Sequence, residues 1–434
     1  MHSGNMTPHQ RSGGGEKAPH PSPHQGRGFS WLVAFLLLSV LAINYIDRQT
    51  LSVLVPFLPG DLKMSNIVYA HITSVFLLAY ALAMPLAGWF VDRVGTRRGL
   101  AITVIFWSLF EFLCGTARSV FALGSYRFML GLAEAAAFPA ITKTAAEHAA
   151  PHGRAALIGI AIFGAGMGTT LTPPVVAYLS MHLSWSWAFY GTGVAGFLWT
   201  IFWLLSYRPR SDLGVAAQSS AVNVPWITLL RDKRVIGLTL AQTFSGSLWW
   251  FYLFWIPSFL NQARGLNIHQ MGIYGWIPYF FASVGSIVGG YASGYFVRQG
   301  WEPVRARKMI MCICACIVPF TSFVVKVPGV AAVLAILAIA TFFMEAFFAN
   351  LFALPADIFP HERVASVVGL NVMCNSFAAI VVMQFIGHIV ERFSYTPVFV
   401  LVAFFLPAGA LSVQWLVTGE QELRVSAVPE VMPK

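Results

Sequence analysis

An acid and a base stand side by side in an apolar stretch near the start of the chain. The stretch covers residues 31–57, and its only charged residues are Asp47 and Arg48. Burying a charge in hydrocarbon costs several kcal/mol, so such residues usually face a cavity and mark a path for a substrate or an ion. The pair is therefore a candidate site for chemistry on a charged solute.

A second pair of charges lies in residues 122–142, which are otherwise uncharged and contain Arg127 and Glu134. Seven residues separate the two, which corresponds to about 700° of helical rotation. Both side chains therefore lie on one face of a helix, roughly 10 Å apart. We expect the two pairs together to form a path for a charged solute.

The composition of the chain indicates that these residues lie in membrane-spanning helices. Of the 434 residues, 57% are hydrophobic and 10% are charged, whereas a soluble domain carries about 25% charged residues. Twelve stretches of about 20 predominantly apolar residues follow one another along the chain. These stretches lack the alternating polarity of outer-membrane strands, so the sequence predicts helices.

The two halves of the chain resemble each other. Gly88–Asp92, after the second predicted span, matches Gly294–Arg298 after the eighth, and Pro151–Arg154, before the fifth, matches Pro360–Arg363 before the eleventh. The offset between the matched segments is nearly constant, as in a parallel repeat whose substrate site lies between the halves. We predict an all-α membrane protein with twelve transmembrane helices in two six-helix repeats.

The domain organisation follows from this repeat. We expect six-helix bundles at residues 29–206 and 234–418, a cytoplasmic linker at residues 207–233, and cytoplasmic tails at residues 1–28 and 419–434, the first of them disordered. Most of the 27 Lys and Arg residues fall in the tails and the even-numbered loops, which predicts that both termini are cytoplasmic. The net charge of +10 thus reflects membrane orientation and gives no reason to expect nucleic acid binding.

No constellation of a soluble enzyme is present in the sequence. It has no phosphate-binding glycine loop with Lys and Ser/Thr, no paired metal ligands and no nucleotide domain. All five cysteines lie in predicted spans, which argues against a disulfide framework. We therefore expect no enzymatic activity, no cofactor and no metal, and an ion gradient has to supply the energy.

The loop after the second span, Gly88–Arg98, contains an acid among bases. Asp92 could pair with the arginines and form a latch that differs between conformations, so Asp92, Arg93 and Arg97 are candidate gating residues. The alternative is an ordinary positive loop, but an acid adds nothing to membrane orientation. The pattern closely resembles the loop signature of the major facilitator superfamily, at the position between spans 2 and 3 where that family has it.

Further motifs resemble one branch of that superfamily. Asn44–Arg48 and Arg127–Pro139 resemble the anion:cation symporter family, and Trp249–Pro257 and Ala349–Pro360 resemble its bacterial hexuronate permeases. The resemblance extends from Trp31 to Thr418. It implies a bacterial inner-membrane symporter that couples protons to the import of a sugar acid, a hexuronate such as galacturonate or glucuronate, by alternating access.

The resemblance also implies roles for residues of the first half. They are proton transfer for Asp47 and Glu134, binding of the anion and of the acids for Arg48 and Arg127, and pocket contacts for Tyr45 and Tyr80. Arginine stays charged and can bind a carboxylate through two hydrogen bonds. The alternative is a structural ion pair, but such pairs rarely stabilise a fold better than apolar packing does.

Candidate substrate contacts in the second half are polar or aromatic. They are Trp249, Trp250, Asn350, Asn371 and Asn375. The two tryptophans could stack on a sugar ring, although one of them is expected in packing or facing lipid. Asn371 and Asn375 are one helical turn apart and could bind sugar hydroxyl groups or hold helices together.

Three positions depart from the family pattern or lie outside it. Ala165 stands where hexonate carriers place a glutamine, which argues against a copy of hexonate recognition. Glu345 stands where related permeases carry glutamine, and it is either a possible extra proton site or a cavity-facing acid partnered by water. Glu111 lies towards the end of its span, and we expect it at the membrane interface.

Two alternatives to a hexuronate importer remain open. One is a symporter of another organic carboxylate, such as a hexonate or an aromatic acid. The other is a transporter-like nutrient sensor, which would bind substrate without moving it. Such sensors often carry long cytoplasmic extensions, and the segment after Thr418 is short, which favours transport. We expect a monomer in the bilayer.

Overall fold

The structure is a computed structural model that describes residues 2, 31–149, 151–208, 229 and 231–417. Apart from residue 2, the tails expected at residues 1–28 and 419–434 lie outside the described residues, as does most of the expected linker at residues 207–233. Within the described part, the regular structure is entirely helical.

The helices fall into two sets of six, as predicted. The first half contains α1 (Trp31–Leu54), α2 (Asn66–Val94), α3 (Thr96–Cys114), the broken helix α4 (Val120–Glu134 and Ala137–His148), α5 (Pro151–His182) and α6 (Trp185–Ser206). The second half contains α7 (Lys233–Gln262), the broken helix α8 (Ile268–Tyr274 and Ile277–Arg298), α9 (Pro303–Ile317), α10 (Val330–Ile358), α11 (His361–Arg392) and the broken helix α12 (Tyr395–Ala403 and Phe405–Leu416). Short 3-10 segments extend α1 to Phe57 and α9 to Val325.

Nine of the helices in the described part are long and apolar enough to cross a membrane. The other three are α3, α4 and α7. Helix α3 carries three charged residues, α4 is interrupted after Glu134, and α7 is rich in polar and aromatic residues. These three helices, which fall short in length or in apolar character, contribute several of the buried polar side chains of the molecule.

The turn between α2 and α3 is short enough to need glycine. Gly95 ends α2 and begins α3 with a φ of +85°, a conformation that side chains other than glycine rarely adopt. The amide of Gly95 donates to the carbonyl oxygen of Val91, which closes the last turn of α2. The loop that carries Asp92 and Arg97 is therefore fixed tightly to both helices.

The packing repeats after six helices. In the first half, α1 packs on α5, α2 on α4 and α3 on α6; in the second half, α7 packs on α11, α8 on α10 and α9 on α12. The prediction of two six-helix repeats is confirmed. The halves meet mainly where α2 lies against α11 and α5 lies against α8, with a smaller contact between α1 and α7.

Glycines show where these interface helices touch. A Cβ atom added to Gly387 of α11 would lie 2.5 Å from the Cβ atom of Ala70 in α2, and one added to Gly272 of α8 would lie 2.7 Å from the Cβ atom of Ala177 in α5. Such close approach requires glycine. Both contacts lie towards the membrane face opposite the one where α1 begins.

At the other end, the same four helices are apart. A Cβ atom added to Gly88, Gly159, Gly290 or Gly369 would have no atom within 4 Å. Gly88, Gly159 and Gly369 each lie 18 residues, or five helical turns, from the contact position on the same helix and therefore on the same face. Gly290 lies in the longer segment of the broken helix α8, beyond the segment that contains Gly272. The interface thus opens towards the face where α1 begins and α12 ends.

Candidate functional site

Five ionisable side chains are buried together inside the first half. They are Asp47 and Arg48 on α1, Glu111 on α3, and Arg127 and Glu134 on α4, and none is more than 2% exposed. Helices α3 and α4 pack on each other, and α4 also reaches α2. The four charged residues predicted from the sequence are therefore in one region, and Glu111 is a fifth.

Arg48 pairs with Glu134 across the bundle. Its Nε and Nη2 atoms donate to Glu134 Oε2 at 3.0 and 2.7 Å, and Nη2 also donates to Asn44 Oδ1 at 3.3 Å. In the sequence Arg48 adjoins Asp47, but successive helical side chains point about 100° apart. The guanidinium group consequently reaches a carboxylate on another helix.

Arg127 binds the backbone of α1. Its Nη1 atom donates to the carbonyl oxygen of Asp47 at 3.0 Å, and its Nη2 atom donates to that of Arg48 at 2.8 Å. It also forms an ion pair with Glu111 at 3.4 Å. Arg127 thus joins α1, α3 and α4, and two of its hydrogen bonds go to carbonyl groups that cannot change charge.

The expectation that Glu111 lies at the membrane interface is wrong. The side chain is fully buried, and its Oε1 atom accepts a hydrogen bond from Thr192 on α6 at 3.4 Å. Helix α3 packs on α4 and α6, so the face that carries Glu111 points into the bundle. The available signal was chemical, because Glu111 is the only acid in its apolar stretch.

Asp47 is left without a cation. It is fully buried, and neither of its carboxylate oxygens has a hydrogen-bond partner among the described residues. Three carboxyl groups, those of Asp47, Glu111 and Glu134, therefore share two guanidinium groups. Leaving a buried charge unpaired is strongly unfavourable, so this arrangement suits a neutral Asp47.

Aromatic rings surround the guanidinium group of Arg48. The Arg48 Cζ atom lies 4.9 Å from the ring centre of Tyr45, 5.0 Å from that of Tyr80, 5.5 Å from that of Phe76 and 5.4 Å from that of Trp250. Rings at this distance attract a cation. Trp250 belongs to α7, so this aromatic cage joins the two halves at Arg48.

The other second-half candidates make contacts that hold helices together. Trp249 is half-buried in apolar packing. The Asn350 amide donates to the carbonyl oxygens of Gly289 and Ala346 at 3.1 and 2.9 Å and so ties α10 to α8. These contacts explain why Trp249 and Asn350 stabilise the packing of the helices. A role of either residue in substrate binding stays a prediction.

The two asparagines of α11 face α7. The Asn371 Oδ1 atom accepts from Thr239 at 2.7 Å. Asn375 lies against Gly246, where an added Cβ atom would be 2.2 Å from Asn375 Oδ1. That oxygen is buried and has no partner among the described residues, which leaves it available to a sugar hydroxyl group.

The loop latch uses a different partner from the one expected. Asp92 pairs with Lys143 at 3.0 Å, and Lys143 Nζ also donates to the carbonyl oxygen of Val91 at 3.1 Å. Arg93 lies over the ring of Trp89, and Arg97 donates to the carbonyl oxygen at Leu204. The expected pairing of Asp92 with the loop arginines is replaced because the second segment of α4 ends beside α2, which brings Lys143 to the acid.

The fold and these buried charges are those of a multi-pass membrane protein with a charged cluster inside its first helical bundle. The sequence profile of the Major Facilitator Superfamily matches residues 37–344. The chain belongs to this superfamily and is a transporter, not an enzyme.

Two relatives of this chain are transporters of the substrate class that the hexuronate-permease motifs indicate. The hexuronate transporter of Escherichia coli (strain K12) is 27% identical over 417 residues, which cover 92% of this chain and 96% of the relative. The galacturonate transporter of Dickeya chrysanthemi is 29% identical over 306 residues, which cover 67% of this chain and 89% of the relative. The resemblance to bacterial hexuronate permeases is confirmed.

A solved structure has the same fold. It is a bacterial homologue of the human lysosomal transporter Spinster in an inward-facing and occupied conformation, with a TM-score of 0.69 and 17% sequence identity. The match covers 89% of this chain and 94% of that chain. At this identity the similarity concerns the fold alone.

Proposed function

We propose that this protein is a proton-coupled symporter that imports a hexuronate, such as galacturonate or glucuronate, across the bacterial inner membrane by alternating access. The names of its relatives and the motifs shared with hexuronate permeases support the substrate class. The observation that carries the coupling is the hydrogen bonding of Arg48. Glu134 occupies Nε and Nη2 of Arg48, which form one of the two edges through which a guanidinium group holds a carboxylate in a two-pronged pair.

Substrate and Glu134 would therefore compete for one guanidinium group. When the carboxylate of a sugar acid binds to Arg48, Glu134 loses its cation in a buried place. Taking up a proton removes the unpaired charge. Anion binding and protonation of Glu134 would thus occur together, and release of the anion would free Arg48 to pair with the deprotonated acid again.

Asp47 would carry a second proton. It lies next to the Arg48 and Arg127 network but has no cation of its own. Moving an anion against a negative-inside potential costs about 2.3 kcal/mol per charge per 100 mV. One proton neutralises a monovalent sugar acid, whereas two make import electrogenic and driven by the membrane potential.

The contacts between the halves support alternating access. On the face away from the termini, Glu391 Oε2 accepts a hydrogen bond from the backbone N–H of Asn66 at 2.8 Å, and Gln262 Nε2 donates to Asn66 Oδ1 at 3.1 Å. Further in, the Tyr69 hydroxyl donates to the carbonyl oxygen of Phe254 at 2.8 Å. With both termini in the cytoplasm, this closed end is the outer gate and the open end faces the cytoplasm.

Transport by purified protein in proteoliposomes tests the proposal. Labelled galacturonate and glucuronate should accumulate when the outside is made acidic, and a negative-inside potential should increase the accumulation. Binding without accumulation would indicate a sensor and overturn the proposal. Accumulation of a hexonate or an aromatic acid in preference to both uronates would contradict the substrate class.

A further inference from the structure

The outer end of α11 meets the start of α2 in the other half. A Cβ atom added to Gly387 would lie 3.0 Å from the carbonyl oxygen of Asn66 and 2.5 Å from the Cβ atom of Ala70. Glu391 follows Gly387 by four residues, about one helical turn, and lies on the same side of α11. Its Oε2 atom accepts a hydrogen bond from the backbone N–H of Asn66 at 2.8 Å. This contact joins the two halves at their closed end.

The N-terminus of α2 is capped from both halves. The first N–H groups of a helix have no acceptor within it, and the aligned peptide dipoles give this end a partial positive charge. Ser65, the residue before the helix, accepts from the N–H of Val68 at 3.3 Å through its hydroxyl oxygen. Glu391 supplies the acceptor for Asn66, the first residue of the helix. Ser65 belongs to the same half as α2, whereas Glu391 can cap the helix only while the outer end is closed.

Two uncharged side chains make further contacts between the halves at this end. Gln262 at the end of α7 donates to Asn66 Oδ1 at 3.1 Å, and Gln384 on α11 donates to the hydroxyl oxygen of Ser74 on α2 at 2.7 Å. Amide and hydroxyl side chains keep their charge state at ordinary pH. Of these three contacts, only that of Glu391 therefore depends on a group that takes up a proton in acid.

Other titratable or charged residues belong to the same outer ends. They are Asp61 and Lys63 before α2, His71 on α2, Arg264 after α7, His388 and Arg392 on α11, and Tyr395 on α12. None of them forms an ion pair with Glu391 in the part of the chain that the structure describes. The charge of Glu391 therefore faces the positive end of a helix and no cationic side chain.

We propose that Glu391 makes the outer gate sensitive to protons outside the cell. The carboxylate stabilises the closed end through the start of α2, and protonation removes both its charge and its charge-assisted hydrogen bond. Glu391 is exposed, so external protons reach it while the gate is closed. The stabilisation is present at neutral pH and is lost in acid, which favours opening.

This inference rests on the proposed function, which places this end of the molecule outside the cell. It adds an effect of protons that is separate from the coupling acids, because Glu391 lies on the surface and Asp47 and Glu134 are buried inside the first half. The gate thus opens towards the side from which the driving protons come.

Distances between spin labels test this switch. One label is placed in the outer loop after α3 and the other in the outer loop after α9, and the full-length protein is measured without substrate at about pH 7 and about pH 4, between which carboxyl groups take up protons. In the wild type, the ratio of open to closed outer ends should rise in acid. In Glu391→Gln the ratio should already be about two- to fivefold higher at neutral pH, the effect of one charge at an exposed helix N-terminus. Its further rise in acid should be smaller than that of the wild type by the same factor.

Two control variants should respond to acid as the wild type does. Asp61→Asn removes an exposed acid at the same face of the molecule. His388→Gln removes a histidine that lies one turn before Glu391 and contacts the carbonyl oxygen of Gln384 on its own helix. Loss of the acid response in His388→Gln would assign the response to that histidine and overturn the proposal.

The proposal is also overturned if Glu391→Gln keeps the wild-type ratio at neutral pH or the full wild-type response to acid. Since these measurements contain no substrate, such a result leaves the proposed uptake of uronates intact. A wild-type protein that accumulates no sugar acid overturns the proposed function, and the measured distances do not depend on that outcome.

Discussion

Arg48 and Arg127 look alike in the sequence, since each is the only base in an apolar stretch, but their contacts differ in kind. Arg48 is held by a carboxylate that can be neutralised and by four aromatic rings that are shared between the halves. Arg127 is held by two backbone carbonyl groups and by Glu111. We therefore expect Arg48 to bind the substrate anion and Arg127 to position α1.

The first prediction separates these two arginines. Arg48→Lys keeps the charge but loses the planar pair of donors, so affinity for glucuronate should fall by about tenfold or more, the effect of losing one charge-assisted hydrogen bond. Arg127→Lys should mainly lower thermal stability, with only a small loss of affinity for glucuronate. Isothermal titration and thermal unfolding measure the two effects.

Arg93→Lys is the control for these two variants, because Arg93 is exposed and its guanidinium group lies over the ring of Trp89, away from the buried charges. It should leave affinity and stability unchanged. Wild-type affinity in Arg48→Lys would show that the anion binds elsewhere.

The second prediction concerns the coupling acids. Glu134→Gln fixes the neutral form of the side chain, so it should abolish accumulation driven by a pH gradient while exchange of internal for external substrate continues. Asp47→Asn should also lose pH-driven accumulation. Uptake and exchange in proteoliposomes distinguish these effects.

Asp61→Asn provides the matched control, since Asp61 is exposed in the loop after α1. Full accumulation by both Glu134→Gln and Asp47→Asn would mean that protons travel by another route, with Glu345 as the next candidate.

At the scale of helices, both halves use the same device near the termini. Arg97 at the start of α3 donates to the carbonyl oxygen of Leu204 at the end of α6, and Lys308 at the start of α9 donates to that of Val417 after α12. In the first half, the pair of Asp92 and Lys143 adds a link from α2 to α4. These contacts stay within a half and so favour its movement as one body.

The third prediction concerns that link. Asp92→Asn should slow uptake several-fold and leave affinity for glucuronate within a few fold, because the pair biases conformations and does not touch the substrate. Lys143→Gln should have the same effect. The double variant should be no slower than either single variant, since both remove one contact.

The free energy of unfolding should change little in Asp92→Asn and Lys143→Gln, because an exposed ion pair contributes about 0–1 kcal/mol. Arg98→Gln removes an exposed charge of the same loop and should transport normally. Lost binding with normal turnover in Asp92→Asn would place this residue in the substrate site instead.

In the whole molecule, the surroundings of two glycines on α11 show which end of the interface between the halves is closed. Gly387 is pressed against α2, whereas Gly369 lies on the same face of the helix and has open space. If the halves rock against each other, the closed end opens and the open end closes. In that opposite state, α11 would be in close contact with the first half near Gly369 and would be separated from α2 near Gly387.

The fourth prediction follows from this difference. Gly387→Val should shift the population towards the state with the outer end open, because the added side chain clashes with Ala70 only while that end is closed. Gly369→Val, the matched variant on the same helix, should shift the population the other way or leave it unchanged. Distances between spin labels at the outer ends of α2 and α11 measure the populations. A shift of Gly369→Val in the same direction as Gly387→Val would contradict rigid rocking of the halves.

The number and type of the helices and most of the buried charges could be predicted from the amino-acid sequence. A stretch of about 20 apolar residues has one solution in a bilayer, because every backbone group must be bonded within the helix. A charge in such a stretch is equally visible, and so Asp47, Arg48, Arg127 and Glu134 were identified without knowing what surrounds them. The repeat was visible as well, because its matched loops keep their spacing along the chain.

Which of these charges pair with each other depends on how the helices pack. Arg48 meets Glu134, which is 86 residues away, and not its neighbour Asp47; Arg127 meets the acid of α3 that the sequence had placed at the interface; and Asp92 meets Lys143 instead of an arginine. Pairing depends on the rotation and depth of each helix against its neighbours. These are set by side-chain packing over many residues distant in the chain, about which the apolar pattern of a single span carries no information.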